Sequence, residues 1–135
     1  MNHSETQPSF AKGGVKFIFQ LEGLCVLALS LLAYAKFGSD WGTFALLFFV
    51  PDIFMLGYLL NAKVGAIFYN TSHSYVMPLL VLGVGIYVNA PTVLAVGIIW
   101  TAHIGFDRML GYGLKYSNGF RFTHLGMIGR PKKID

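Results

Sequence analysis

Four apolar stretches, each about as long as a bilayer is thick, follow one another between residues 17 and 110 of this 135-residue chain. They run from Phe17 to Phe37, Trp41 to Leu60, Val64 to Val88 and Thr92 to Leu110. A helix needs roughly 20 apolar residues to cross a hydrocarbon core. Inside lipid each backbone polar group must be satisfied within the protein, which makes helix the natural choice. Short connectors around Asp40, Lys63 and Pro91 turn the chain back each time, and short connectors make antiparallel neighbours. The expectation is an all-α fold, an integral membrane bundle of four transmembrane helices over residues 15–110. A disordered polar tail (1–14) precedes it and a basic, membrane-proximal tail (111–135) follows. Composition agrees: 55% of residues are hydrophobic and 12% charged, where a soluble domain carries about twice that charge. The small residues Ala33–Ala35 resemble a signal-peptide cleavage site, but the stretch before them is long for a signal core and contains Glu22.

The basic residues set an orientation. Lys12, Lys16, Lys63, Lys115, Arg121, Arg130, Lys132 and Lys133 fall on one side of the expected bundle, and Lys36 alone on the other. By the positive-inside rule both termini face the cytoplasm. The net charge of +4 is concentrated at ends and loops, which suits anionic lipid headgroups at the C-terminal tail and not nucleic acid. Cys25 is the one cysteine, so neither an intrachain disulfide nor a cysteine-based metal site is available.

Against this apolar background, Glu22, Asp52, His73, His103, Asp107 and Arg108 stand out. Intramembrane ionisable groups are costly and face inward or line a wet cavity. Counting along the expected helices at 1.5 Å per residue puts Glu22, Asp52, His73 and His103 about 8–14 Å below the cytoplasmic boundary. Asp107 and Arg108 lie shallower. Four helices each place a polar group in one slab. Together the six residues supply three carboxylates and one guanidinium, so protons or a divalent cation must offset the excess.

The local patterns fit such a site. In "HIGFD", His103 and Asp107 are one turn apart on one helix face, where they can share a metal or the carboxylate can orient the ring. In "VPDIF", Pro51 interrupts the helical ladder and Asp52 begins the next half-helix, where peptide dipoles favour a negative charge. "YNTSHSYVMP" is a polar island in the third stretch; Asn70 and His73 share a face, and the hydroxyls of Thr71, Ser72 and Ser74 can bond back to their own helix. Each pattern also has a plain packing explanation: a helix-internal hydrogen bond, a capped kink, an interhelical contact. Glu22 is expected to bridge to Arg108. Trp41 and Trp100 read as interface anchors. Gly57, Gly65, Gly83, Gly85 and Gly97 read as close helix contacts. The Gly-Tyr-Gly of "LGYGLKY" is not a selectivity filter, because no membrane helix follows it; its glycines are expected to end the fourth helix.

The segments "LEGLCVLALSLLAYAKFG", "PDIFMLGY", "YNTSHSYVMPLL" and "HIGFDRMLGYGLKY" together resemble a small bacterial membrane family, domain of unknown function 4260. That resemblance implies a multi-pass protein of the bacterial plasma membrane and brings no activity with it. The order Pro-Asp, Thr-x-His-Ser, then His-x-x-x-Asp is also similar to membrane-bound metal-dependent hydrolases related to zinc-dependent phospholipase C. This second resemblance implies Asp52, His73, His103 and Asp107 as ligands. The chain departs from the pattern at Phe54, where a second Asp is expected, and lacks an additional His before the Thr-His-Ser element. A single ion is therefore implied. Two histidines and two carboxylates suit zinc, manganese or iron.

Three functions follow as expectations. One is a metal-dependent hydrolase acting on a membrane-associated substrate, with Glu22 or a ligand carboxylate taking the proton and Arg108 holding a phosphate or carboxylate. Another is a proton-coupled transport component; four helices are few for a carrier, so this one needs a homo-oligomer. The last is a non-catalytic protein whose polar network fixes helix packing.

Overall fold

The structure is a computed structural model describing residues 13–112, 122–123 and 126–127. It is all-α apart from two two-residue strands, β1 (Phe122–Thr123) and β2 (Gly126–Met127), paired antiparallel. The helices are α1 (Gly13–Phe37), α2 (Trp41–Phe48), a 3-10 helix η1 (Val50–Leu59), α3 (Ala62–His73), α4 (Val76–Tyr87) and α5 (Pro91–Met109). They occupy the four expected stretches. Two segments, Gly13–Phe37 and Trp41–Leu59, are long and apolar enough to cross a membrane. The expectations for the polar N-terminal tail and most of the basic C-terminal tail lie outside the described residues.

Two stretches differ from the single helices their hydropathy suggests. The second changes from α to 3-10 at Val50 because Pro51, which has no N–H, cannot continue the α ladder. The third breaks at Ser74, which is extended (ψ 145°). The cause lies four residues on: Pro78 cannot donate to the Ser74 carbonyl, and its ring would clash with it. Pro78 instead occupies the first turn of α4, where a missing N–H costs nothing.

The remaining ends are capped by local chemistry. Asp40 caps α2, accepting the Thr43 backbone N–H at 2.9 Å and its hydroxyl at 2.8 Å. Those bonds hold the exposed Asp40 carboxyl below the ordinary carboxylate range. The buried Tyr34 hydroxyl donates to the Asp40 carbonyl at 2.6 Å, tying the connector to α1. Asn61 caps α3 through the Val64 N–H at 2.8 Å. Gly111, at φ +90°, ends α5: its N–H bonds the Arg108 carbonyl at 3.0 Å and the Tyr112 N–H bonds the Asp107 carbonyl at 2.8 Å. This is the left-handed glycine cap expected of "LGYGLKY".

Helix α5 is the hub. It packs against α1, α2 and α4, whereas α3 packs chiefly against η1 as a separate hairpin. Small residues allow the close approaches. A Cβ on Gly23 of α1 would meet the Gly105 carbonyl oxygen at 2.8 Å, and one on Gly105 would meet the Leu27 nitrogen at 2.8 Å. Gly85 and Gly97 make the corresponding contacts between α4 and α5, and Gly57 and Gly65 those within the η1–α3 hairpin. Gly83 differs from expectation, since a Cβ added there would meet nothing within 4 Å.

Gly105→Val should force α1 off α5 and cost about 1–3 kcal/mol, read as a lower Tm in detergent; Gly83→Val should leave Tm almost unchanged. Asp40→Ala should lower Tm at neutral pH. Because the folded carboxyl titrates below its ordinary value, its contribution is present above that value and fades as pH falls through the folded pKa. In strong acid the variant and the wild type should therefore melt alike.

Candidate metal centre

The two breaks place their residues against α5. Asp52 lies in the first turn of η1, just after Pro51, and His73 is the last residue of α3. His103 and Asp107 stand one turn apart on α5. The His73 Nε2 is 3.2 Å from Asp52 Oδ1 and 3.4 Å from Asp107 Oδ2. The His103 Nε2 is 3.2 Å from the same two oxygens, and the two Nε2 atoms are 3.1 Å apart. All four donor atoms lie within 4.8 Å of one another.

These spacings can be compared with a metal's requirements. Zinc bonds to imidazole nitrogen and carboxylate oxygen run about 2.0–2.1 Å, and a tetrahedron with such bonds has edges of about 3.3–3.4 Å. The five edges that include an imidazole, 3.1–3.4 Å, are close to that size. The residues present therefore fit one small divalent ion of the zinc, manganese or iron class.

The surroundings orient the ligands. The His73 Nδ1 lies 3.0 Å from the Tyr69 carbonyl and 2.7 Å from the Ser72 hydroxyl, which itself donates to that carbonyl at 3.0 Å. This arrangement holds the ring proton on Nδ1 and turns the Nε2 lone pair toward the cluster, as in many metal-bound histidines. The Tyr69 ring stacks on His73 at 3.8 Å, 6° from parallel. Phe48 packs edge-on against His103. The His103 Nδ1 is buried with no hydrogen-bond partner among the described residues. The imidazole side of the cluster is sealed: the side chains of His73 and His103 are 3% and 2% exposed. The carboxylate side is open, with Asp52 36% exposed and Asp107 16%.

Sequence reasoning placed Glu22 and Arg108 beside these residues. Glu22 shares their level, since its neighbour Gly23 packs on Gly105 and Arg108, but it lies on the exposed face of α1. No ion pair joins it to Arg108 among the described residues, so the expected bridge is corrected. Arg108 instead serves the break in the third segment. Its Nη2 donates to the His73 carbonyl at 3.4 Å, and its guanidinium lies over the Tyr75 ring at 4.9 Å. A cation at the C-terminus of α3 also complements the helix dipole.

Four contributors were not singled out as site residues. Trp100, read as an interface anchor, donates its indole N–H to the Ser72 carbonyl at 2.5 Å and so pins α5 to the end of α3. It lies three residues before His103, which was the available signal. The Tyr69 carbonyl and the Ser72 hydroxyl orient His73, and only the fold shows it. Gln20 also reaches across from α1, donating to the Met109 carbonyl at 3.3 Å.

No curated protein and no solved structure matches the chain. A family profile, that of a domain of unknown function, DUF4260, matches residues 16–128. The cluster, the two breaks and α5 all lie within the matched residues, and the chain belongs to the DUF4260 family.

Proposed function

We propose that this chain is a multi-pass membrane protein that holds one divalent metal ion between Asp52, His73, His103 and Asp107 and hydrolyses a membrane-associated substrate there. The observation that carries the reading is the convergence of four ligand atoms from η1, α3 and α5 within 4.8 Å. The membrane reading draws on the outer surface, where Leu29, Leu32, Leu46, Leu56, Leu79 and Ile86 are all more than half exposed. Soluble proteins rarely present so continuous an apolar exterior.

When bound, an ion of this class would supply a Lewis acid, and would make water acidic enough to attack at neutral pH once Asp52, on the open side, yields its place to that water. The chain's own residues have distinct tasks. His73, its proton fixed on Nδ1, presents a lone pair from the sealed side. Asp52, the most exposed of the four, is placed to take a proton from the open side. Arg108 has N–H groups beyond the one given to the His73 carbonyl, and these suit a phosphate or carboxylate on the substrate. Glu22 faces outward and has no step in this scheme. The zinc-class ion, the cytoplasmic placement of both termini and the lipid contacts of the basic tail belong to the same proposal.

A structural reading is favoured by one observation: the four donors tie three helical elements together, as a closed four-ligand site does. It shares the metal and differs only in turnover.

Elemental analysis of protein purified in detergent without chelators tests the metal. Wild type should carry close to one transition metal per chain, and His103→Ala and Asp52→Ala should carry almost none. Metal-free wild type that remains folded would overturn the reading. Ser72→Ala should weaken metal affinity by about tenfold, the lower end for a lost outer contact, because the Tyr69 carbonyl remains. Hydrolysis of long-chain chromogenic carboxylic and phosphate esters in mixed micelles should require the metal. Stoichiometric metal with no turnover of either ester would favour the structural reading.

A further inference from the structure

We propose that the groove between α2 and α5 is the binding site for a hydrocarbon tail of an amphiphile whose anionic head lies at the metal centre. This inference deepens the hydrolase reading and rests on it for the position of the head.

The groove begins beside the site. A cavity of about 260 Å³ is lined by Leu47, Val50, Pro51, Val96, Ile99 and Trp100. Pro51 immediately precedes the ligand Asp52. Trp100 is one turn before the ligand His103, and its indole is bonded to the Ser72 carbonyl next to His73. A second cavity, of about 160 Å³, shares Leu47, Val96 and Ile99 and continues to Phe37, Thr43 and Pro91. The two adjoin along α2 and α5, between the Trp100 end beside the cluster and the first and third connectors.

Its size and chemistry select the occupant. The first cavity exceeds the apolar space of about 150 Å³ that takes up benzene, and by proportion holds about ten carbons. From Pro91 to Trp100 the groove follows α5 for about 14 Å, close to half the thickness of a hydrocarbon core. No charged side chain lines the first cavity. Lys36 and Asp40 offset each other beyond the Phe37 and Thr43 end, whereas at the Trp100 end a divalent ion would balance the Asp52 and Asp107 carboxylates and leave Arg108 to complement an anionic head. A long uncharged channel closing on a cationic end matches a single-chain amphiphile and matches no peptide or sugar. α2 makes the channel possible because it is eight residues long. It meets α5 through Phe44, Leu47 and Phe48 without a glycine contact to draw the backbones together.

Tryptophan quenching tests the proposal. Trp41→Phe leaves Trp100 as the single tryptophan of the chain. The metal-loaded protein is reconstituted in phosphatidylcholine vesicles containing a fatty acid brominated along its chain. Quenching of Trp100 should saturate at low mole fraction. Val96→Phe, which fills the groove, should raise the half-saturating fraction at least about tenfold. If Val96→Phe loses its metal or fails to fold, Leu47→Phe fills the groove from the other wall and should do the same. Quenching that rises in step with mole fraction, unchanged by either filling variant, would overturn the proposal. A brominated alkane without a carboxylate should bind more weakly; equal binding would overturn the placement of the head. Metal content is read on the same samples. Saturable quenching in a metal-free protein would sink the ion and spare the groove, and unsaturable quenching in a metal-loaded protein would sink the groove alone.

Discussion

In the proposed membrane setting, a helix cannot be interrupted unless something takes up the backbone groups that the interruption frees. This chain interrupts two of its four segments at the same level, and much of the rest follows from the settlement. At the end of α3 the Ser72 carbonyl accepts the Trp100 indole and the His73 carbonyl accepts Arg108. Both donors come from α5, so the helix that carries His103 and Asp107 is also the one that repairs the break. The ligands meet because the polar groups at the breaks and the residues that satisfy them have to share one place.

That division explains why α5 is unlike the other helices. Its buried face is built from Ala95, Gly97, Thr101, Ala102 and Gly105 with Ile98, Ile99 and Ile104 between them. Small residues bring α1 and α4 in close, where dispersion at short range holds the helices together. Polar residues on the same helix can then be held rigidly. A ligand set in which five of six edges fall within a few tenths of an ångström of a metal's needs calls for that rigidity.

Much of this was legible in the amino-acid order. The length of the apolar stretches marks the four segments, and depth counting put Asp52, His73 and His103 in one slab. The i, i+4 spacing put Asp107 beside His103. Two things were hidden for physical reasons. A hydropathy window averages over Ser74, so the break reads as a polar island; the cause is Pro78, which acts four residues upstream. The direction in which Glu22 faces was also hidden. α1 is apolar all round, with Gly23, Ser30 and Tyr34 as its buried residues, and without an amphipathic pattern nothing fixes the rotation of a helix about its axis. The roles of Trp100 and Arg108 depend on carbonyls that are free only because of the break, so they could not be read before it.

The hairpin of η1 and α3 packs chiefly on itself, and its two ends meet at the cluster. Asp52 and His73 are twenty-one positions apart, so an ion shared between them closes a loop as a disulfide does. For loops of about this length a cross-link removes roughly 3 kcal/mol of chain entropy from the open state. The proposed ion would thus clasp the hairpin and, through His103 and Asp107, fasten it to α5. The body of α1, α4 and α5 is held by glycine contacts, and the ion would add to the Trp100 and Arg108 bonds that fasten the hairpin to it.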